Sequence, residues 1–141
     1  MKFPWKSAWI IGASSGLGAE AAKILSCAKT KTIISARSHD KLEKLSKTSE
    51  NLFVAPLDIT DHTAVDLTVD EIVADIGKLP DLIILNAAIY TPINNKNFNI
   101  GEIQKMMNVN YIGAVNVINA LLKYKHQNEK ITVATVTSPS G

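Results

Sequence analysis

The sequence predicts an α/β fold in which helices cover both faces of a doubly wound parallel sheet. Short β-rich runs alternate with helical stretches along the whole chain, and this alternation is typical of βαβ units with right-handed crossovers. The run at residues 81–85, DLIIL, has the apolar character of a strand buried on both faces. The first run leads through a glycine-rich turn into a helix, which is a common opening of such a sheet.

The expected elements follow one another without a repeat or a low-complexity segment. The strands are expected at residues 8–11, 31–36, 52–56, 81–85 and 131–136. The helices are expected at about residues 19–28, 40–48, 62–76 and 100–124. Thr60 or Asp61 is suited to cap the third helix, and Gly77 to end it. The last helix carries more apolar residues than one narrow stripe can hold.

The composition fits one globular domain over residues 1–141. The formal net charge of +2 is small and the lysines are scattered, so neither nucleic acid nor an acidic membrane surface is indicated as a partner. The N-terminal residues lack the apolar run of a signal peptide, and no run approaches about 18 apolar residues. We therefore expect a cytoplasmic protein that does not span a membrane.

The metal-ligating residue types are few and far apart. His39, His62 and His126 lack metal-ligand spacing with each other or with paired carboxylates, so no metal site is predicted and these side chains should face solvent. Cys27 is the only cysteine, which excludes an internal disulfide. Its place in the alanine-rich first helix favours a small buried residue over a reactive thiol.

Residues 7–19, SAWIIGASSGLGA, are the stretch that points most directly to a ligand. Gly12 can take backbone angles that a side chain would forbid, Gly16 lets the main chain approach a pyrophosphate, and Gly18 allows close helix packing. The N-terminus of the following helix offers free N–H groups and a partial positive charge. The spacing GxxxGxG therefore predicts a phosphate site, and the alternative is a tight turn of small residues.

Polar residues stand where the other predicted strands end. Arg37 follows the second strand, Asp58 the third, Asn86 the fourth and Ser138 the fifth. In a doubly wound sheet, ligands bind at the C-terminal ends of the strands. These residues are therefore expected to meet the glycine-rich turn at one edge of the sheet.

In these motifs the chain resembles the short-chain dehydrogenase/reductase family over essentially its whole length. Gly12, Gly16 and Gly18 match the family's TGxxxGxG motif, with Ile11 in place of Thr. The other matches are Leu57 with Asp58, the stretch of Leu85, Asn86, Ala87 and Ala88 that is similar to NNAG, the helical Asn110, and Ser138. Several matches in the right order favour the family over a generic nucleotide-binding fold.

The resemblance implies a Rossmann-type sheet of about five strands in the order 3-2-1-4-5, incomplete on its C-terminal side. It implies catalytic roles for Asn110, as anchor of a water that links Lys to solvent, and for Ser138, as partner of the substrate oxygen. As a near-terminal residue, Ser138 can alternatively be disordered. The cofactor contacts expected are Gly12, Ser14, Ser15, Gly16, Leu17, Gly18, Arg37, Asp58, Ile59, Asn86, Ala87 and Ala88.

The end of the second strand indicates which nicotinamide cofactor is preferred. NAD-preferring folds place an acid there to bond the ribose hydroxyls, and that acid would repel a 2′-phosphate. Here the position is Ala36, followed by Arg37. A guanidinium forms paired bonds to phosphate, so we predict NADP and regard NAD as less favoured. Alternatively, Arg37 is only a solvated surface residue.

The family's YxxxK pair is absent from this sequence. The tyrosines are Tyr90, Tyr111 and Tyr124, and none has a lysine four residues later. The chain therefore resembles the N-terminal half of such an enzyme, expected to be inactive alone on a carbonyl or alcohol substrate. Its fifth strand should form a sheet edge and its last helix should expose apolar surface, which predicts a homo-oligomer. A non-catalytic NADP-binding or interaction module is the alternative function.

Overall fold

The fold is known from a computed structural model that describes residues 1–124, 126 and 130–137. Within these residues the chain forms one parallel sheet of five strands in the order β3-β2-β1-β4-β5. The strands are β1 (Ser7–Ile11), β2 (Lys31–Ser35), β3 (Leu52–Val54), β4 (Leu82–Leu85) and β5 (Thr132–Thr135). The predicted fold class and strand order are thus confirmed. Ser138 lies outside the described residues.

Helices connect the strands and cover both faces of the sheet. They are α1 (Gly16–Cys27), α2 (His39–Ser46), α3 (His62–Ile76), α4 (Ile100–Met107) and α5 (Gly113–Leu122). A π-helical turn, Asn108–Ile112, joins α4 directly to α5. The predicted bounds of α3 are confirmed, and Asp61 is its cap, because its Oδ1 accepts a hydrogen bond from the Ala64 N–H at 3.0 Å.

Strand β1 is the centre of the core. It pairs with β2 on one side and with β4 on the other, so Trp9 lies beside both Ile33 and Ile83. Since successive side chains of a strand point to opposite faces, Trp9 packs in the core that α3 and α5 cover. Ile10 packs in the core beneath α1 and α2. The Trp9 indole N–H donates to the Ser35 hydroxyl at 2.9 Å, so this fully buried ring has its polar atom satisfied.

Two expectations about helical residues are wrong. Cys27 is exposed rather than buried, because α1 turns Ala22, Leu25 and Ser26 toward the core and leaves the Cys27 side chain on its outer face. The second error concerns residues 100–124, which do not form one α-helix. The π-helical turn interrupts it and α5 ends at Leu122.

As expected, the last helix exposes apolar surface and the last strand lies at an edge of the described sheet. An apolar stripe on the π-helical turn and α5 consists of Tyr111, Val115, Ile118 and Leu122, with 59%, 44%, 43% and 55% of each residue exposed. Among the described strands, β5 is at the edge of the sheet and pairs with β4 alone. Both features are surfaces that a neighbouring polypeptide segment can cover.

Asp81 connects the beginnings of β1 and β4 at the N-terminal edge of the sheet. Its Oδ2 accepts hydrogen bonds from the backbone N–H groups of Lys6 at 2.8 Å and Ser7 at 3.0 Å. Its Oδ1 binds the Lys78 ammonium at 2.6 Å. Desolvation raises the pKa of the Asp81 carboxyl, but the Lys78 and backbone hydrogen bonds outweigh it, and the pKa lies below its ordinary value. The carboxylate form therefore stabilises the sheet.

Replacement of Asp81 tests this connection. We expect Asp81→Asn to lower the free energy of unfolding by about 1–3 kcal/mol at neutral pH, because the charged acceptor of several bonds is lost. Urea denaturation measures the change. Since the folded pKa is lowered, the difference from the parent should be complete above about pH 5 and should shrink as the pH falls below about 4. Glu71→Gln, on the exposed face of α3, is the control; equal effects of the two substitutions would contradict the assignment.

Candidate functional site

A cleft of about 340 Å³ lies at the C-terminal ends of the central strands. The loops that follow β1, β2, β3 and β4 contribute its walls, and the π-helical turn closes one side. The lining residues are Ile11, Gly12, Ser14, Ser15, Ala36, Arg37, Ser38, Lys41, Leu57, Asp58, Ile59, Asn86, Ala87, Ala88, Ile89 and Val109. The cleft therefore lies where a doubly wound sheet binds its ligands.

Gly12 begins the turn after β1 in a conformation that favours glycine. Its φ is +91°, and a Cβ at this position would lie 2.5 Å from the backbone nitrogen of Ala87. The turn is held against β2, because the N–H groups of Gly12 and Ala13 donate to the Ser35 carbonyl at 2.8 Å and 3.1 Å. The expectation that Gly12 adopts angles forbidden to other residues is confirmed.

Gly18 and Asn86 fix the glycine-rich turn to the end of β4. The Asn86 side-chain amide donates to the Gly12 carbonyl at 3.0 Å. A Cβ on Gly18 would overlap that same carbonyl and lie 2.7 Å from Nδ2 of Asn86. Gly18 thus permits the close approach of α1 to the turn, whereas a Cβ on Gly16 would meet nothing within 4 Å. The space beside Gly16 is open to a ligand.

In the described part of the chain, the N-terminus of α1 has no side-chain cap. The cap residue Ser15 makes no side-chain capping bond and no acidic residue lies in the first turn of α1. The first N–H groups of this helix therefore lack a capping acceptor among the described side chains, and they carry the positive end of the helix dipole. Ser14 and Ser15 line the cleft at the same place and add hydroxyl donors.

Charged side chains also line the cleft, at the ends of β2 and β3. Arg37 and Lys41 carry positive charge and Asp58 carries negative charge. Desolvation raises the pKa of the Asp58 carboxyl, but hydrogen bonds from the Thr60 N–H and hydroxyl, together with the charge of Arg37, outweigh it and the pKa is lowered. Asp58 is therefore ionised at neutral pH, with its Oδ1 already bound to Thr60.

Asn110, a residue of the π-helical turn, is hydrogen-bonded to the loop that follows β4. Its Oδ1 accepts from the Ile89 N–H at 2.8 Å, and its Nδ2 donates to the Ile89 carbonyl at 2.8 Å. The paired bonds fix both polar backbone groups of a residue that lines the cleft. Because a π-helical turn inserts one extra residue in the helix, it changes which side chains face this loop. Asn110 thus positions the cleft wall.

The structure brings together most of the predicted cofactor residues. Gly12, Ser14, Ser15, Arg37, Asp58, Ile59, Asn86, Ala87 and Ala88 all line the cleft. Gly16 and Gly18 shape the turn beside it, while Leu17 is 71% exposed and does not line it. Asn110 contacts the cleft through Ile89, and Ser138 is outside the described residues.

Several cleft residues were missed by the sequence analysis. Lys41 lies in the first turn of α2, shortly after Arg37 in the chain, and this second positive charge near the end of β2 could have identified it. Ser38 immediately follows Arg37 and was an equally visible candidate. Ile89 and Val109 carry no recognisable motif, because their contribution depends on how the π-helical turn meets the loop.

Comparison with known proteins identifies the family to which the chain belongs. The family model for short chain dehydrogenases matches residues 6–141. The chain therefore belongs to the short-chain dehydrogenase/reductase family, whose members are oxidoreductases that bind nicotinamide dinucleotides.

Individual relatives agree with this assignment. The chain is 27% identical to mouse dehydrogenase/reductase SDR family member 7 over 141 residues, covering 94% of this chain and 41% of the relative. It is 32% identical to an uncharacterized oxidoreductase of Staphylococcus haemolyticus over 115 residues, covering 80% of this chain and 49% of that protein. The chain thus spans less than half the length of these two relatives.

Solved structures share the fold. A short-chain dehydrogenase from Streptomyces avermitilis superposes with a TM-score of 0.87 at 22% identity, covering 97% of this chain and 50% of that one. LigD from Sphingobium superposes with a TM-score of 0.88 at 23% identity, covering 95% of this chain and 59% of that one.

The described residues contain neither a metal-binding cluster nor a helix suited to span a membrane. No group of three or more His, Cys, Asp or Glu residues in the described part of the chain is placed to hold a metal ion. Over residues 1–124, 126 and 130–137, no helix has both the length and the apolar character needed to cross a bilayer.

The Asn110 contact gives a prediction about the cleft wall. We expect Asn110→Asp to lower the free energy of unfolding by about 1–2 kcal/mol and to speed amide exchange at residues 88–90, because a carboxylate cannot donate to the Ile89 carbonyl. Denaturant titration and hydrogen exchange measure both effects. Asn119→Asp makes the same chemical change at an exposed position of α5 and should have neither effect. Unchanged exchange at residues 88–90 in Asn110→Asp would contradict the role given to Asn110.

Proposed function

We propose that the chain is the cofactor-binding part of an NADP-dependent oxidoreductase that transfers hydride between NADP(H) and a carbonyl or alcohol substrate. The observation that carries this proposal is the cleft itself. The part of the cleft after β1 has a glycine-rich turn and an uncapped helix N-terminus. The part after β2 has Arg37 and Lys41. An elongated ligand with phosphate at two separate places matches this distribution of positive charge.

The residues present fit a nicotinamide dinucleotide. The space beside Gly16 and the N–H groups of α1 suit a pyrophosphate, because a backbone without a Cβ allows close approach. Asp58 and Ile59 line the cleft at the end of β3, where they are suited to hold the adenine. Ala87 and Ala88 give the wall after β4 a small apolar surface. This donor set supports the cofactor contacts that the sequence predicts.

The cofactor, when bound, supplies the hydride chemistry. The described residues supply binding and orientation. Asn86 keeps the glycine-rich turn in place through the Gly12 carbonyl, and Asn110 fixes the loop after β4 through Ile89. In this proposal Asn110 also anchors a water in the proton path, and Ser138 holds the substrate oxygen.

The preference for NADP over NAD rests on Arg37. It is the only arginine in the sequence, and it follows β2 where an NAD-preferring fold has an acid. A guanidinium binds a phosphate with two parallel hydrogen bonds. Lys41 and Ser38 line the same part of the cleft and add a second charge and a hydroxyl donor. Asp58 is ionised and lines the same cleft, so Arg37 and Lys41 together leave this part of the cleft with a net positive charge.

Titration of Arg37→Gln with both cofactors tests the preference. We expect NADPH to bind the parent more tightly than NADH, and the substitution to weaken NADPH binding about tenfold, because a charge-assisted contact to the 2′-phosphate is lost. NADH binding should change less than about twofold. Isothermal titration calorimetry measures both affinities, with Lys44→Gln on the exposed face of α2 as the control. Tighter binding of NADH by the parent would refute the preference.

We further propose that this chain does not catalyse turnover alone. The sequence holds no tyrosine followed four residues later by lysine, so the proton donor that the family resemblance requires is missing. Purified chain should bind NADPH yet oxidise it no faster with a panel of aldehydes and ketones than a sample without protein. Absorbance at the NADPH band measures the rate. Carbonyl-dependent oxidation that scales with chain concentration would show that another group replaces the tyrosine.

The alternative function is a non-catalytic NADP-binding or interaction module in the cytoplasm. The apolar stripe favours this class as much as it favours an enzyme, because both need the stripe to be covered. The spacing of Tyr111, Val115, Ile118 and Leu122 is four, three and four residues, which suits packing against a second helix. No residue from 106 to 122 is charged. We therefore propose that two copies of the chain associate through this stripe.

Light scattering over a range of protein concentrations tests the association. We expect the parent mass to rise with concentration, and Ile118→Glu to keep the chain monomeric, because a carboxylate in an apolar interface loses its hydration. Asn119→Glu adds the same charge at the neighbouring exposed position and should leave association intact. A monomeric parent at all concentrations would rule out this interface.

A further inference from the structure

A second cleft of about 360 Å³ adjoins the cofactor cleft. We call it the side cleft. Arg37, Asp58 and Val109 line both spaces. The side cleft extends from them to α4 and the π-helical turn, where Gln104, Lys105 and Asn108 contribute its far wall. A ligand at the end of β2 would therefore be within the same open region as Lys105.

The ionisable residues of the side cleft give it a net positive charge. Arg37 and Lys105 are its cations and Asp58 is its acid. The Asp58 Oδ1 is occupied by the N–H and hydroxyl of Thr60, at 2.9 Å and 2.7 Å. Lys105 has no ion-pair or hydrogen-bond partner among the described residues. Asp58 balances only one of the two cations, so the side cleft carries one excess positive charge that attracts an anion.

The usual structural role of a lysine at a helix end does not account for Lys105. It lies in the last turn of α4, where a cation ordinarily complements exposed carbonyls. Here the backbone continues in helical conformation through Asn108–Ile112 into α5, so α4 has no free C-terminus. The charge of Lys105 is therefore available to a ligand.

We propose that Lys105, on α4, is a specificity-determining residue that binds a phosphate on the adenosine half of the ligand. The phosphate lies between Lys105 and Arg37, and the amides of Gln104 and Asn108 supply further donors. This inference rests on the nucleotide-binding part of the proposed function. It adds α4 to the elements that discriminate a phosphorylated ribose from an unmodified one.

Calorimetric titration with adenosine 2′,5′-bisphosphate, NADPH and NADH tests the role of Lys105. We expect Lys105→Gln to weaken adenosine 2′,5′-bisphosphate and NADPH about fivefold, the effect of an exposed charge pair, and NADH less than about twofold. Lys105→Arg should retain affinity for the phosphorylated ligands. Lys44→Gln, an exposed lysine of α2 that lines neither cleft, is the matched control.

The outcomes separate this inference from the proposed function. If the parent prefers NADPH but Lys105→Gln behaves like Lys44→Gln, or weakens NADH equally, Lys105 is not a specificity residue and the proposed function stands. If adenosine 2′,5′-bisphosphate binds in a Lys105-dependent manner while neither dinucleotide binds, the inference stands and the oxidoreductase proposal fails. Absence of binding by all three ligands overturns both.

Discussion

The close approach of the glycine-rich turn to the end of β4 is the constraint on which the site depends. Asn86 donates to the Gly12 carbonyl at 3.0 Å, and Gly18 lies against the same carbonyl with no room for a Cβ. This contact joins β1, α1 and β4 at a single point. It aims the N-terminus of α1 at the cleft while the sheet holds the turn rigid. A dinucleotide site needs this arrangement before any cation contributes to affinity.

The position of the cleft wall formed by the loop after β4 depends on the π-helical turn. The π-helical turn at Asn108–Ile112 directs Asn110 at both backbone groups of Ile89. The same turn is continuous with α5, whose inner residues Val117 and Leu121 belong to the core over β1. Packing of α5 therefore determines where the loop after β4 lies. A substitution in the core on this face of the sheet should therefore change the position of the cleft wall, although the substituted residue contacts no ligand.

The fold could be predicted from the sequence because the residue patterns that indicate its strands and helices are local and recur along the chain. The apolar run before the glycines identified β1, and the apolar stripe with Asp61 and Gly77 at its ends identified α3. Ligand positions followed from topology, since parallel strands end at one edge. The π-helical turn could not be read, because residues 108–112 have no distinct composition and the extra residue is stabilised by a contact with Ile89, far away in the chain. Val109 was missed for the same reason.

One nucleotide site that joins the glycine-rich turn to Arg37 and Asp58 is tested most directly by nitrogen-15 NMR of the backbone amides during titration with NADPH. We expect saturable shifts at residues 12–18, 37 and 58, with the outer face of α3 unchanged. Shifts confined to other surfaces, such as the cavity lined by Met1, Lys23 and Cys27, would show that NADPH does not bind in this cleft.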